Sequence, residues 1–265
     1  MCGGAPMPEC WLVDIGSTRL KWQVRDARGV VMAGGATGDA EACARALLEA
    51  GDPHAGRVSL WLSRVGPGAR EVALRRALER AGRDVEARPV APRSAGPHGL
   101  RSEYDPTQLG VDRYCGLVAA RAHSRRALIL VDAGTAVSVD LLDAAGVHRG
   151  GYLLPGRRTG WTSLQRLLAD RVPEVVPPER SEDDPWRPGR STRDALDAGW
   201  GLGLAGAVER LVAEGRRELG DAAEVWLTGG DADWLAASLV AAVVRVPDLV
   251  LDGLWELSRE AGGEA

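Results

Sequence analysis

Two short segments carry the residues best suited to chemistry. Leu12-Val13-Asp14-Ile15-Gly16-Ser17-Thr18 and Leu130-Val131-Asp132-Ala133-Gly134-Thr135-Ala136 are two copies of one pattern, L-V-D-x-G-[ST], with Asp14 and Asp132 lying 118 positions apart. Each copy runs into a strand pattern, a turn reading D-A-x-G and a returning strand, the turns being Asp26-Ala27-Arg28-Gly29 and Asp143-Ala144-Ala145-Gly146. An aspartate that ends a strand projects its carboxylate from the sheet edge, where it can hold Mg2+ directly or through water. The glycine lets the backbone turn without a Cβ, so N–H groups can come close to phosphate oxygens. The hydroxyls of Ser17, Thr18 and Thr135 add donors. Phosphoryl transfer asks mostly for in-line positioning and charge neutralisation. The duplicated motif therefore points to binding of nucleotide phosphates, with the turns of two related halves facing each other across a cleft. A third segment, Val225-Trp226-Leu227-Thr228-Gly229-Gly230-Asp231, is a strand entering a Gly-Gly turn before a helix, suited to approach an adenosine or a phosphate.

The elements that must hold these turns can be read from periodicity. Strands are expected at 11–14, 19–25, 30–36, 58–62 and 85–90, with helices at 39–51 and 69–81. A Pro-, Gly- and Ser-rich loop fills 91–106, and a helix is expected at 107–125. Residues 127–132 form a continuous apolar strand, as expected when both faces are covered. Strands at 136–142 and 147–154, a helix at 157–170 and a Pro-rich charged loop at 173–190 follow. A long helix at 192–218 carries Ala195, Gly199, Gly203 and Gly206 on one stripe. Glycine costs a helix about 1 kcal/mol against alanine, so such a stripe implies close approach by another backbone or a ligand. A strand at 223–228, a helix at 230–241, a strand at 243–246 and a helix at 248–259 complete the chain. The division expected is a first lobe at 1–125 and a second at 126–265.

Composition narrows the function classes. A chain of 265 residues with 45% hydrophobic and 26% charged residues has the balance of a soluble globular protein. Its net charge of −4 gives no electrostatic case for a nucleic-acid or anionic-membrane partner. No apolar run approaches the roughly 18 residues that would span a bilayer. The start, MCGGAPMPEC, has neither a basic n-region nor an apolar h-region, so a cleaved signal is not expected and a cytoplasmic location is. The four cysteines (Cys2, Cys10, Cys43, Cys115) show no C-x-x-C spacing and the four histidines are scattered, so a structural metal is not expected. Lys21 is the one lysine, and it lies seven residues after Asp14. A lone lysine among so many arginines hints that a point charge on a flexible stem is wanted there.

Six segments together resemble the type III pantothenate kinases, within the superfamily of acetate and sugar kinases, heat-shock ATPases and actin. They are DIGSTRLKW (14–22), YDPTQLGVDR (104–113), LVDAGTAVSVD (130–140), GGYLLPG (150–156), STRDAL (191–196) and LTGGDA (227–232). The resemblance implies an α/β fold of two ribonuclease-H-like lobes, mixed sheets flanked by helices in an actin-like ATPase duplication, with the nucleotide in the interlobe cleft. It implies phosphorylation of pantothenate to 4'-phosphopantothenate, the first step of coenzyme A biosynthesis. Asp14, Ile15, Gly16, Ser17, Thr18, Arg19, Leu20 and Lys21 would line the ATP phosphates, with Asp14 near Mg2+, and Thr135 would contact ATP. Asp112 would be the general base toward the primary hydroxyl of pantothenate. Tyr104, Gly110, Val111, Asp112, Arg113 and Thr192 would hold that substrate, and Asp132 would bind a monovalent cation, K+ or NH4+. The resemblance also implies a homodimer with Thr192 at or near the subunit interface. The family usually has asparagine where this chain has Ser17. A regulatory protein of the same fold, or a kinase for another small hydroxyl substrate, are the alternatives the sequence leaves open.

Overall fold

The computed structural model describes residues 9–66, 68–173 and 187–263. Most of the N-terminal extension and positions 174–186 of the Pro-rich loop lie outside them. The chain divides into two compact units, residues 1–125 with 248–265 and residues 126–247.

The first unit opens with an antiparallel meander, β1 (Cys10–Ile15), β2 (Leu20–Arg25) and β3 (Val31–Thr37). Helix α1 (Ala40–Ala50) starts at Asp39, whose carboxylate accepts the N–H of Ala42 at 3.0 Å. Strand β4 (Val58–Arg64) then lies parallel to β1, and after α2 (Ala69–Arg80) strand β5 (Val85–Pro89) extends the sheet to the order β3-β2-β1-β4-β5. Alternation along the strands decides which side chains face which layer. Val13, Ile15, Leu60 and Leu62 pack with Leu47, Leu74 and Leu78 of the two helices in one core. Asp14, between Val13 and Ile15, therefore points to the opposite face.

That face is covered by α3 (Val111–His123), which follows the short strand β6 (Arg101–Ser102). The helix expected from 107 begins four residues later. Asp105 takes the N–H of Thr107 at 2.9 Å on its side chain and that of Leu109 at 3.1 Å on its carbonyl, which closes a separate turn before Gly110. As a result Asp112 sits in the first turn of a helix rather than in its second.

The second unit repeats the plan. Strands β7 (Leu128–Ala133), β8 (Ala136–Leu142) and β9 (Val147–Pro155) form an antiparallel meander, followed by α4 (Arg157–Leu167) and α5 (Thr192–Leu219). Then β10 (Glu224–Thr228) lies parallel to β7, and after α6 (Ala232–Ala236) β11 (Val244–Arg245) lies parallel to β10. The order β9-β8-β7-β10-β11 matches that of the first unit strand for strand. The D-A-x-G turns match too. Gly29 and Gly146 have φ of 87° and 86°, and each donates its N–H to the Asp carbonyl three residues back, at 2.9 and 3.0 Å. The helix expected over 230–241 is only α6, because Glu209 of α5 accepts the N–H groups of Val240 and Ala241, drawing that segment out of helix.

The last helix, α7 (Leu249–Gly263), corrects the expected division at 126–265. It packs on α3, β1, β2 and β4 of the first unit. Three contacts account for this. Arg25 of β2, buried beneath it, donates to Asp252 at 2.5 Å. His98 meets Glu256 at 2.8 Å. At Gly253 the helix backbone lies so close to α3 that a Cβ would stand 1.9 Å from the Cys115 carbonyl oxygen. Gly253→Ala should therefore force the two helices apart at a cost of about 1–3 kcal/mol. In scanning calorimetry this reads as a melting temperature lower by roughly 2–12 °C.

Candidate active site

In the first unit the site is built at the ends of β1 and α3. Asp14 is half-buried at the end of β1, with Lys21 opposite it on β2 and Ser63 opposite it on β4. The hairpin that follows is closed by Gly16 N–H donating to Arg19 O at 3.0 Å. Arg70, from the first turn of α2, donates to Gly16 O at 2.9 Å and steadies the same loop from outside. Ser17, Thr18 and Arg19 stand exposed at its tip, while Ile15 and Leu20 are buried and anchor its base.

Helix α3 brings Asp112 to this face. Gly110 is its N-cap with φ −59° and ψ 138°, a conformation open to any residue, so its role is space. A Cβ there would meet Asp112 Oδ1 at 2.5 Å, and the same oxygen accepts the Arg113 N–H at 2.8 Å. The glycine two positions before the acid lets the carboxylate lie over the helix start. Cys115, one turn further on, is fully buried. Burial pushes its thiol far above its ordinary range, and the charges of Asp14 and Asp112 push it further. Both carboxylates thus act on one sealed thiol. Beside them the Arg113 guanidinium lies 5.0 Å from the centre of the Tyr104 ring, a cation–π contact that joins two of the residues expected to hold substrate. Val111 is half-buried between Gly110 and the acid.

In the second unit the corresponding aspartate, Asp132, is half-buried near the end of β7, with Ser138 and Thr228 as its neighbours across β8 and β10. Its hairpin is one residue shorter than the first, closed by Gly134 N–H to Ala136 O at 2.9 Å. The Gly-Gly turn after β10 presses on this point. Gly229 has φ 99°, and a Cβ there would lie 2.4 Å from Ala133 O and 2.5 Å from Asp132 Oδ1. Thr135 is exposed at the hairpin tip, and its carbonyl accepts from Gly156 N–H at 3.0 Å and from the Thr159 hydroxyl at 2.6 Å. Thr192, the first residue of α5, is exposed behind its cap Ser191, whose hydroxyl accepts the Asp194 N–H at 3.1 Å.

Within the first unit, then, the structure gathers Asp14, Asp112, Arg113 and Tyr104. In the second it gathers Asp132, Thr135 and the Gly-Gly turn. Sequence reasoning missed Arg70, Ser63 and the clamp of Gly156 and Thr159 on Thr135. Each is brought beside its hairpin from far along the chain, which no local spacing announces. Among the described residues no group of three or more His, Cys, Asp or Glu side chains could cage a metal. Any cation here would be held by single carboxylates with carbonyl, hydroxyl or phosphate oxygens.

Two lobes of the same strand order, each presenting an Asp-Gly hairpin, define the duplicated α/β fold of the actin-like ATPases and sugar kinases. Solved structures agree. The activator of the 2-hydroxyisocaproyl-CoA dehydratase from Clostridium difficile, with bound ADPNP, superposes with a TM-score of 0.52 at 12% identity, covering 97% of this chain and 98% of that one. An ethanolamine utilization protein from Carboxydothermus hydrogenoformans gives 0.54 at 15% identity, covering 96% and 91%. The chain belongs to the type III pantothenate kinase family, whose model matches residues 10–214. It is 38% identical to the type III pantothenate kinase of Azoarcus sp. (strain BH72) over 92% of this chain and 88% of that protein. It is 35% identical to that of Azotobacter vinelandii over 91% and 95%. Enzymes of this family phosphorylate pantothenate in coenzyme A biosynthesis.

Proposed function

We propose that the chain transfers the γ-phosphoryl group of ATP in line to the primary hydroxyl of pantothenate, with Asp112 as general base. The Asp112 carboxylate accepts the hydroxyl proton as the new O–P bond forms. The bond to the β,γ-bridging oxygen breaks, and ADP leaves with that oxygen. The observation that carries this reading is that Asp14 lies on the sheet face opposite the α1/α2 core and α3, which packs on that face, carries Asp112 in its first turn, so a nucleotide-side carboxylate and a proton acceptor share one face of one unit. The hairpin from Asp14 to Lys21 presents backbone, hydroxyl and basic groups suited to phosphates. Arg113, ordered by its stack on Tyr104, suits the carboxylate of pantothenate. Gly110 and Val111 shape the approach to the base, and Thr192 completes the substrate contacts.

The oxygen donors fit the ions that the family implies. Asp14 has a carboxylate on the sheet face, two exposed hydroxyls beyond it and a buried orphan hydroxyl, Ser63 Oγ, beside it in register. Mg2+ held there would neutralise phosphate charge. Asp132 Oδ1 and the Ala133 carbonyl oxygen both lie against Gly229, and these two oxygens would contribute to holding K+ or NH4+, while Thr135 would contact ATP. The protein acts as a homodimer in this reading. Ala195, Gly199, Leu202, Gly203 and Gly206 form one exposed face of α5, and open space surrounds a Cβ built at each of those three glycines among the described residues. A second copy can approach there, close to Thr192. The place of work in this reading is the cytoplasm. Among the described residues Cys10, Cys43 and Cys115 are free and buried, and no helix is long and apolar enough to cross a membrane.

The test uses purified protein, ATP, Mg2+ and pantothenate, comparing K+ and NH4+ with Na+. Phosphopantothenate formed with K+ or NH4+ and not with Na+ is expected, from a species sedimenting at about twice the 28.1 kDa chain mass. ATP binding without transfer, or transfer only to another alcohol, would overturn the reading.

A further inference from the structure

Strand β4 encloses a hydroxyl that has nothing to bond. Ser63 is 0% exposed, and its Oγ has no hydrogen-bond partner among the described residues. A buried donor left unmade is a net loss that alanine at the same place would avoid, so its presence asks for a state in which it is used. Its position says which. Ser63 is the register partner of Asp14 across the parallel β1–β4 pair, where strands run about 4.8 Å apart. The preceding pair, Val13 and Leu62, lies in the core under α1 and α2, so Ser63 and Asp14 share the opposite face. The second unit supplies the comparison. There the register partner of Asp132 on the equivalent strand is Thr228, and its Oγ1 donates to Pro247 O at 3.1 Å. Both units set a hydroxyl beside the motif aspartate. In the second it is committed to the backbone, and in the first it is held in reserve.

We propose that Ser63 is a positioning residue for Asp14: with metal–nucleotide bound, its Oγ–H donates to one carboxylate oxygen of Asp14 and so fixes the other toward Mg2+. The proposal rests on the reading of Asp14 as the Mg2+-side carboxylate. Partners that orient a metal-binding carboxylate typically change metal affinity by about 10–100-fold when removed. The experiment compares Ser63→Ala, Ser63→Thr and Asp14→Asn in the full chain. It reads thermal unfolding without nucleotide, and calorimetric titration with ATP in the absence of pantothenate, in Mn2+ or in EDTA. Ser63→Ala should unfold at the same or a higher temperature than the parent and bind ATP equally in EDTA. In Mn2+ it should lose about 10–100-fold in affinity, and Ser63→Thr, which keeps the hydroxyl, should recover most of that. Unchanged Mn2+-dependent affinity in Ser63→Ala would overturn the proposal, as would a loss that Ser63→Thr does not reverse. Asp14→Asn separates the two ideas. If it keeps full Mn2+-dependent affinity, the Asp14 reading itself falls. If it loses that affinity and Ser63→Ala does not, only the role of Ser63 falls.

Discussion

Asp112→Asn should lower pantothenate-dependent turnover by about 10²–10⁴-fold, the usual contribution of a positioned base, with little change in folding. The two side chains have the same shape. An asparagine oxygen can still accept the Arg113 N–H that Asp112 Oδ1 now takes at 2.8 Å, so the start of α3 keeps its geometry. What is lost is the ability to take up a proton and one negative charge in the first helical turn, the latter worth about 0.3–1 kcal/mol. At about 2–4 °C per kcal/mol for a chain of this size, the melting temperature should fall by no more than a few degrees. Stopped assays of phosphopantothenate alongside scanning calorimetry check both halves. An Asp112→Asn protein that retains parental turnover would remove Asp112 from the chemistry, and one that fails to fold would make it structural.

The second large effect belongs to Gly229. A Cβ at this position meets Ala133 O, the Ala133 carbonyl carbon and Asp132 Oδ1 between 2.4 and 2.6 Å, and the backbone sits at φ 99°. Gly229→Ala therefore combines left-handed strain of about 1–2 kcal/mol with overpacking of about 1–3 kcal/mol. Because the obstructing atoms are mostly backbone, relief has to come from moving β7 or the turn itself. Gly220 is the matched control, with φ 97° but open space at its Cβ. Gly220→Ala should show the strain alone. The expected outcome is a larger fall in melting temperature for Gly229→Ala than for Gly220→Ala. With the proposed K+ site on Asp132, only the former should lose stimulation by K+ over Na+, because only it displaces that carboxylate. Equal effects from the two would detach the Gly-Gly turn from the cation.

The duplication was legible because it is written in local chemistry. An Asp-Gly pair at a strand end and a D-A-x-G turn each dictate geometry within a few residues, and in both units they do so with matching hydrogen bonds. The room that Gly110 leaves for the Asp112 carboxylate was not legible, because the sequence assigned that glycine to the substrate by resemblance alone. The start of α3 was not legible either, because the side chain of Asp105 competes with the helix for nearby N–H groups. Nor was the early end of α6, where Glu209 from another helix takes the N–H groups of Val240 and Ala241. Arg70, Ser63 and Thr159 were hidden for a related reason. Each reads as an ordinary surface or strand residue until the sheet order sets it beside a hairpin it does not adjoin in sequence.

The return of α7 to the first unit has a consequence for the order in which the protein comes into being. During synthesis, residues 1–125 emerge well before 249–263, at about 5–20 residues per second. For several seconds or more the nascent first lobe lacks the segment that shields the back of its sheet and braces α3 at Cys115. Over that interval its apolar strands are available to the wrong neighbours. The first lobe therefore cannot complete its packing until the last helix is made, after every residue of the second unit has been translated.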